Sequence, residues 1–212
     1  VEALEPWIRQ RLAYKIGLLK DITAFNGTGS SSAPRGLKLT PNINTVDFAA
    51  GTNGTGAATV YTGATQTLTK QLSYMMAKLP ENNANLPGAK LGWACSPYVV
   101  TALTMPVDAD GRPLLWSPSM GNIQSGDGRL GTLMGKRIAE TTQLSASTSV
   151  TDTEDLWYGD WNNIFDANWG TLAFASSDQH NLNFTKALVT IRAIGAHDIG
   201  VYHPKAFVRG TN

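Results

Sequence analysis

The spacing of the apolar residues changes along this chain, and that change limits the folds that the chain can adopt. Near the N-terminus, apolar residues recur every three or four positions, which is the spacing of one face of an α-helix. This first stripe consists of Leu4, Ile8, Leu12, Ile16, Leu19 and Ile22. Toward the C-terminus, the spacing shortens to the alternation that is typical of β-strands. The sequence therefore predicts an α+β fold, with helices early and an antiparallel sheet late.

Helix breakers and capping residues set the predicted bounds of the early elements. The first helix is expected to bury one face and to end at Asn26-Gly27. A second helical stripe covers residues 65–79, and Pro80 stops it. A buried strand is predicted at residues 91–95, followed by a short helix whose N-cap is Ser96.

The remaining segments are predicted to be loops and strands. Residues 105–131 are rich in proline and glycine, so we expect a mobile surface loop there. Strand signals separated by turn residues occur at 157–161, 171–174, 188–192 and 198–208.

Composition excludes several classes of protein. The chain has 212 residues, a formal net charge of +1 and no basic run, so a dedicated nucleic-acid reader is not expected. No apolar stretch approaches the roughly 20 residues needed to span a bilayer, and the N-terminus lacks a signal segment. The single cysteine, Cys95, cannot form an internal disulfide. We expect a soluble, unexported protein with no membrane partner.

Two glycine-rich stretches invite a phosphate-binding interpretation. Residues 27–36 follow a helix, whereas phosphate loops precede one, so we interpret them as a structural turn. Residues 126–131 match G-x-G-x-x-G by letter, but no strand pattern precedes them and no convincing helix follows. Gly135-Lys136 lacks the Ser or Thr of a phosphate loop, since Arg137 stands there. We predict no cofactor site.

Candidate metal ligands and catalytic groups are equally sparse. The three histidines are scattered, Cys95 lies in an apolar run typical of a core, and no nucleophile elbow occurs. Two acidic groups, 108–110 and 152–155, lack the partners that a calcium loop or an acid pair would need. The histidines are His180, His197 and His203. We therefore predict no catalytic residue and no metal ligand.

Aromatic residues indicate an assembly role instead. Six tryptophans is a high count, and Trp157, Trp161 and Trp169 lie close together in the sequence beside turns. Large aromatic side chains anchor cores and protein interfaces equally well.

Seven short motifs occur in a fixed order along the chain. They are DITAFNGTG at 21–29, PRGL at 34–37, WACSP at 93–97, DGRPLL at 110–115, LMGKRI at 133–138, YGDW at 158–161 and the closing stretch 192–210. In this order they resemble the major capsid proteins of tailed phages with the HK97-type fold. Each motif is degenerate, but their order makes the resemblance fairly specific. Arg137 departs from the family pattern, because proline is usual at that position.

The resemblance implies a peripheral and an axial domain, built of mixed and antiparallel sheets flanked by helices. It places residues 1–64 in the peripheral domain, 65–171 in the axial domain, and 172–212 in return strands of the peripheral domain. Some family members cross-link their shells through an asparagine, where this chain has Ala187. Lys186 cannot replace it, so we predict no autocatalytic cross-linking, which a covalent ladder on a denaturing gel would contradict.

By this resemblance, the chain is a structural capsid subunit and not an enzyme. It is expected to self-assemble through pentamers and hexamers into an icosahedral head around phage DNA, which it contacts non-specifically. Other head proteins are possible partners, and assembly would occur in the bacterial cytoplasm. The family's N-terminal arm, extended loop and long spine helix have no counterpart here, so we expect this chain to fold but not to close shells unaided.

Three alternatives remain open at this stage. The first is an encapsulin-like compartment shell, which shares the fold and encloses an enzyme instead of DNA. The second is a nucleotide-dependent enzyme that uses residues 126–131 or 27–36. The third is a secreted β-rich binding domain, to which the Thr-, Asn- and Gly-rich residues 42–67 give slight support.

Overall fold

In the computed structural model of this protein, the described residues are 4–30, 33–47, 65–84, 87–104, 129–144, 156–179, 183–186 and 189–211. Within them, the helices are α1 (Leu4–Asn26), α2 (Thr65–Glu81), α3 (Pro97–Thr104) and α4 (Asn183–Lys186). The strands are β1 (Asn44–Asp47), β2 (Leu91–Cys95), β3 (Arg129–Leu133), β4 (Lys136–Glu140), β5 (Leu156–Asp160), β6 (Ile164–Ser177), β7 (Thr190–Val201) and β8 (Phe207–Thr211). The predicted α+β class is confirmed.

The larger sheet of the described residues has six strands in the order β1-β8-β5-β2-β4-β3. The pairs β1/β8 and β2/β4 are parallel, and the other neighbours are antiparallel, so the sheet is mixed. Its central strands β2 and β5 are buried along almost their whole length. Strands covered on both faces have continuous apolar sequences, which is why LGWAC was recognisable from the sequence as a buried strand.

The core lies on the two faces of this sheet. Register places Trp93 directly opposite Tyr158, and their ring centroids are 4.4 Å apart. The Trp93 indole N–H donates to the carbonyl of Leu133, which ties β2 to the β3–β4 hairpin. Helix α2 packs against β1, β5 and β8. At the end of β2, the Ser96 hydroxyl accepts a hydrogen bond from the Val99 N–H, so the predicted N-cap of α3 is confirmed.

Strands β6 and β7 form a separate two-stranded antiparallel sheet, here called the ribbon. Helix α1 lies along one of its faces. The Arg9 guanidinium is 5.6 Å from the centroid of the Phe174 ring, and the Lys20 ammonium donates to the side chain of Asn168. Two strands alone are marginal in water, so the contact with α1 stabilises the ribbon.

The prediction that α1 buries its apolar stripe holds only in part. No residue of α1 is fully buried. Of the stripe, Ile8, Leu12 and Ile16 are half-buried, whereas Leu4, Leu19 and Ile22 are 55%, 55% and 38% exposed. The helix contacts the ribbon through Arg9, Lys20 and Thr23. The ribbon has only two strands and leaves part of the stripe uncovered.

Several predicted element bounds also differ from the structure. Helix α2 continues through Pro80 to Glu81, and the strand predicted at 171–174 is part of the longer β6. The predicted 105–131 loop overlaps β3, which begins at Arg129; the rest of that loop lies outside the described residues. The predicted strand at 198–208 is interrupted, because β7 ends at Val201 and a 3-10 helix, Pro204–Ala206, precedes β8. The strand predicted at 188–192 corresponds to the start of β7, which begins at Thr190.

The six-stranded sheet joins strands that are distant in the sequence. The stretches 1–64, 65–171 and 172–212 all contribute, since β1 and β8 pair with each other and β8 pairs with β5. Strand β6 also runs across residue 171 without a break in its element.

Candidate assembly surfaces

The glycine-rich turn after α1 is closed by backbone hydrogen bonds. The amides of Gly27, Gly29 and Gly36 donate to the carbonyls of Thr23, Pro34 and Gly27, at 2.9, 3.0 and 2.9 Å. A Cβ atom at Gly27 would lie 2.2 Å from the Pro34 carbonyl oxygen. Because these amides already have partners within the chain, they cannot cradle a phosphate, and the interpretation as a structural turn is supported.

The other two phosphate-loop candidates are residues 126–131 and Gly135-Lys136. Residues 126–128 lie outside the described residues. Gly135 and Met134 form the two-residue turn of the β3–β4 hairpin, with φ angles of 75° and 50°. Positive φ at both positions is the signature of a type I′ hairpin turn. The glycine before Lys136 therefore serves the hairpin.

Cys95 lies in the core, as the sequence indicated. Its side chain is fully buried, and its thiol is 3.7 Å from the carbonyl oxygen of Ala139. Burial, with a smaller contribution from the charge of Glu140, raises the pKa of the Cys95 thiol to about 12. A thiol with so high a pKa stays protonated near neutral pH, so it is a poor nucleophile.

The two described histidines, His197 and His203, lie in different surroundings. His197 faces α1, where its Nε2 is 3.4 Å from the Thr23 hydroxyl. His203 precedes the last 3-10 helix, and its Nδ1 is buried. In the described part of the chain, no three His, Cys, Asp or Glu side chains form a group that could hold a metal ion. His180 and the acidic groups 108–110 and 152–155 lie outside the described residues.

The three neighbouring tryptophans have different environments. Trp157 is buried beneath Phe25, with ring centroids 6.5 Å apart. Trp161 is partly buried, and its indole N–H donates to the carbonyl of Gly92. Trp169 is 80% exposed on the ribbon. Two of the three therefore anchor the core, and Trp169 is the candidate for an interface.

An open cavity of about 770 Å³ lies over strands β2 and β4. Its lining includes the small residues Gly92, Ala94 and Ala139, the aromatic residue Trp161, and the basic residue Arg137. Lys90 and Lys136 also line it, so small apolar residues and cationic side chains lie side by side in this cavity.

The ribbon presents a largely apolar face on the side away from α1, here called the outer face. Side chains alternate along a strand. Asn168 and Phe174 contact α1, so the odd-numbered residues of β6 point the other way. Phe165, Trp169 and Ile194 on this outer face are 55%, 80% and 52% exposed. Sequence reasoning missed Phe165 and Ile194, although the alternation in FDANW was a usable signal.

Exposed apolar side chains are thus present on both α1 and the ribbon. The sequence pattern of the phage capsid family matches residues 1–212. The chain belongs to the phage capsid family.

Solved structures show the same capsid fold. The capsid chain of the empty GTA particle superposes with a TM-score of 0.67 at 18% identity, over 98% of this chain and 65% of that one. The Gordonia phage Cozz structure gives 0.63 at 15% identity, over 99% and 63%. The Mycobacterium phage Che8 structure gives 0.56 at 16% identity, over 99% and 62%.

This member of the phage capsid family thus spans just under two thirds of the length of the structures that it matches. No curated protein sequence matches it significantly. None of the helices in the described part of the chain is long and apolar enough to cross a membrane.

Proposed function

We propose that this chain is a structural subunit that associates with copies of itself to form the head shell of a tailed phage. The observation that carries the proposal is the match of the phage capsid family over all 212 residues. The exposed apolar side chains support it, because contiguous exposed apolar patches on a protein mark interaction sites.

In this proposal, strands that are hydrogen-bonded in one sheet belong to one domain. The six-stranded sheet with α2 and α3 would form the axial domain, and α1 with the ribbon would form the peripheral domain. This division moves the limits away from residues 64 and 171, since one sheet holds β1 and β8 together with β2 to β5.

The shell would lie in the virion, after assembly in the cytoplasm of the host. DNA contact would be non-specific, because a formal net charge of +1 gives no strong attraction for phosphates. Catalysis has no role in the proposal. Other head proteins would bind the assembled shell, and the missing cross-linking asparagine would leave the subunits joined non-covalently; Ala187 lies outside the described residues.

Native mass tests this proposal. Light scattering on a sizing column, with electron micrographs of any large fraction, should give rings of five or six subunits; closed shells would contradict the expectation that this chain does not close shells unaided. A strict monomer over a wide concentration range would contradict self-association by this chain. The contents of any shell separate the two capsid-like alternatives, because a phage head holds DNA and a compartment shell holds an enzyme.

Nucleotide binding gives a second, independent test. A ligand that binds only the folded state raises the melting temperature by mass action. We expect no shift at saturating nucleotide, because the amides of Gly27, Gly29 and Gly36 are engaged. A concentration-dependent rise would contradict a purely structural role.

A further inference from the structure

The cavity over β2 and β4, here called the cleft, carries positive charge at one end. Strands β2 and β4 are parallel, with Ala94 beside Ala139, so both strands begin at the same end of the cleft. Lys90 precedes β2 and Lys136 is the first residue of β4, and both line the cleft with Arg137. Three cationic residues therefore lie close together where the two strands begin.

These charges are not neutralised within the described part of the chain. No carboxylate lines the cleft, and no described carboxylate forms an ion pair with Lys90, Lys136 or Arg137. Asp160 lies at the same end of β2, but it is buried and accepts hydrogen bonds from backbone amides, including that of Lys90. Glu140 falls on the opposite face of β4 from Arg137, because side chains alternate along a strand.

The other end of the cleft is apolar. Ala94 and Ala139 lie on the same face of the sheet as Arg137, and their small side chains leave this face open. The rings of Phe25 and Trp161, with centroids 6.3 Å apart, line the cleft as well. Methyl groups and aromatic rings gain stability when a ligand excludes water from them. This end therefore suits an apolar side chain of a ligand.

We propose that the cleft binds a short acidic segment of another polypeptide, with an apolar side chain over the alanines and carboxylates at the cationic end. This role goes beyond the proposed function, since a single subunit carries the whole cleft. Charge complementarity identifies the ligand, because a positive surface selects a negative partner. The three steps from Leu91 to Ala94 span about 10 Å. The apolar side chain and the carboxylates should therefore be two or three residues apart in an extended segment.

The apolar half of the cleft favours a polypeptide over a nucleic acid. Nucleic-acid binding depends on many phosphate contacts from a basic surface, whereas three cationic residues here adjoin an apolar floor. The cleft volume of about 770 Å³ is typical of sites that enclose a ligand. No two carboxylates of the described residues lie within five positions of each other. The described part of this chain therefore offers no such segment, and we assign it to another polypeptide.

Peptide binding tests the site. The probe is Leu-Ser-Glu-Glu with an amidated C-terminus and a neutral fluorophore on a Gly-Gly extension of its N-terminus. Fluorescence anisotropy should show saturable binding to the natural chain. Leu-Ser-Gln-Gln with the same fluorophore should bind about tenfold more weakly, because it lacks the charges that strengthen hydrogen bonds to Lys and Arg. Equal affinities of the two peptides would overturn the proposal.

A pair of charge variants locates the binding. Arg137→Glu should weaken binding of the acidic peptide about tenfold. Lys15→Glu is the matched control, since it changes the net charge equally. Lys15 is exposed and lies ten residues before Phe25 in α1, or about 15 Å along the helix. It should leave binding unchanged. Equal losses in the two variants would overturn the proposal, because they would reflect net charge alone.

Two further variants keep the test independent of folding defects. Ala139→Leu, at an exposed position, should fill the apolar end and weaken binding of both peptides. Undiminished binding would place the peptide elsewhere and overturn the proposal. Lys90→Glu combined with Arg137→Glu should reject the acidic peptide and bind Leu-Ser-Lys-Lys instead. A chain that has lost its fold would not gain this preference. Binding of neither peptide, with an unchanged circular dichroism spectrum, would overturn the proposal.

Native mass, measured on the same samples, separates this inference from the proposed function. The double charge reversal should leave the native mass of the natural chain unchanged. A fall to monomers would overturn the assignment to another polypeptide, because it would show that the cleft holds a second copy of this chain. A natural chain that is monomeric but binds the acidic peptide would contradict only the proposed function. Assemblies that do not bind the peptide would overturn only this inference.

Discussion

At the residue scale, the turn after α1 depends on the absence of two side chains. The backbones of Gly27 and Gly36 are hydrogen-bonded to each other at 2.9 Å. A Cβ atom at Gly36 would lie 2.4 Å from the Gly27 nitrogen and 2.6 Å from the Phe25 carbonyl oxygen. These neighbours are backbone atoms, which cannot rotate away as a side chain can. The two glycines therefore let the chain leave the helix and pass close beside itself.

We expect Gly27→Ala to destabilise the fold by about 1–3 kcal/mol, the usual cost of overpacking. Gly17→Ala is the control, because a Cβ at this helical position meets nothing within 4 Å. That change should stabilise α1 by about 0.5–1 kcal/mol, since alanine loses less backbone freedom than glycine. Urea unfolding measures both. Equal effects of the two substitutions would contradict a role for close backbone approach.

Cys95 gives a prediction about pH. Its thiol pKa is 9.0 without perturbation and about 12 in the folded chain. Between these values the unfolded chain releases a proton that the folded chain retains, so the free energy of unfolding falls as pH rises, by at most about 1.4 kcal/mol per unit. Below pH 9 the stability is unaffected by this group. In Cys95→Ala the decline above pH 9 should be shallower, as urea unfolding at successive pH values would measure. If the free energy of unfolding fell equally steeply with pH in the natural chain and in Cys95→Ala, the prediction would be contradicted.

At the element scale, the β3–β4 hairpin shows how a turn constrains its residues. Met134 has a φ angle of 50° and Gly135 one of 75°. The right-handed twist of paired strands favours this turn, but a side chain at positive φ is strained unless it is Asn or Asp. Met134 is 37% exposed, so the core does not require its side chain. Methionine at position 134 therefore lowers the stability of the hairpin turn.

We expect Met134→Asn to raise the melting temperature, because Asn-Gly is a preferred pair for this turn. Gly135→Ala should lower it, since a Cβ at a φ of 75° is strained even though nothing lies within 4 Å. Thermal unfolding followed by circular dichroism measures both changes. A decrease for Met134→Asn would indicate that the methionine side chain makes a contact that outweighs its strain.

At the scale of the whole molecule, the two sheets should differ in local stability. The six-stranded sheet has buried central strands, whereas the ribbon has two strands and one uncovered face. Local opening is easiest where few buried contacts must be broken. The ribbon should therefore open more often than the sheet, and association through the ribbon should make this opening rarer.

Hydrogen exchange tests this difference. In the unassembled chain, amides of β2 and β5 should exchange more slowly than those of β6 and β7. In assembled material, the ribbon should gain protection while β2 and β5 change little. Ribbon amides that exchange at the same rate in both states would contradict an assembly contact at this face.

The sequence by itself determined the local elements and the family. The apolar period and the following Asn26-Gly27 predicted α1, and the N-cap at Ser96 predicted the start of α3, because these signals act within a few residues. The family motifs were recognisable because each is a short run of neighbouring residues. No such local signal distinguishes Trp157, which is buried, from Trp169, which is exposed.

Only the tertiary structure decided which surface each element covers. The apolar stripe of α1 was visible in the sequence, but only the fold shows that the ribbon covers part of it, since Ile8, Leu12 and Ile16 are half-buried and Leu4, Leu19 and Ile22 are exposed. The outer face of the ribbon, too, exists only because β6 pairs with β7 and α1 takes the opposite side. Burial depends on residues that are distant in the sequence, whereas helix and turn formation depend on neighbours. For that reason the candidate assembly surface required the fold.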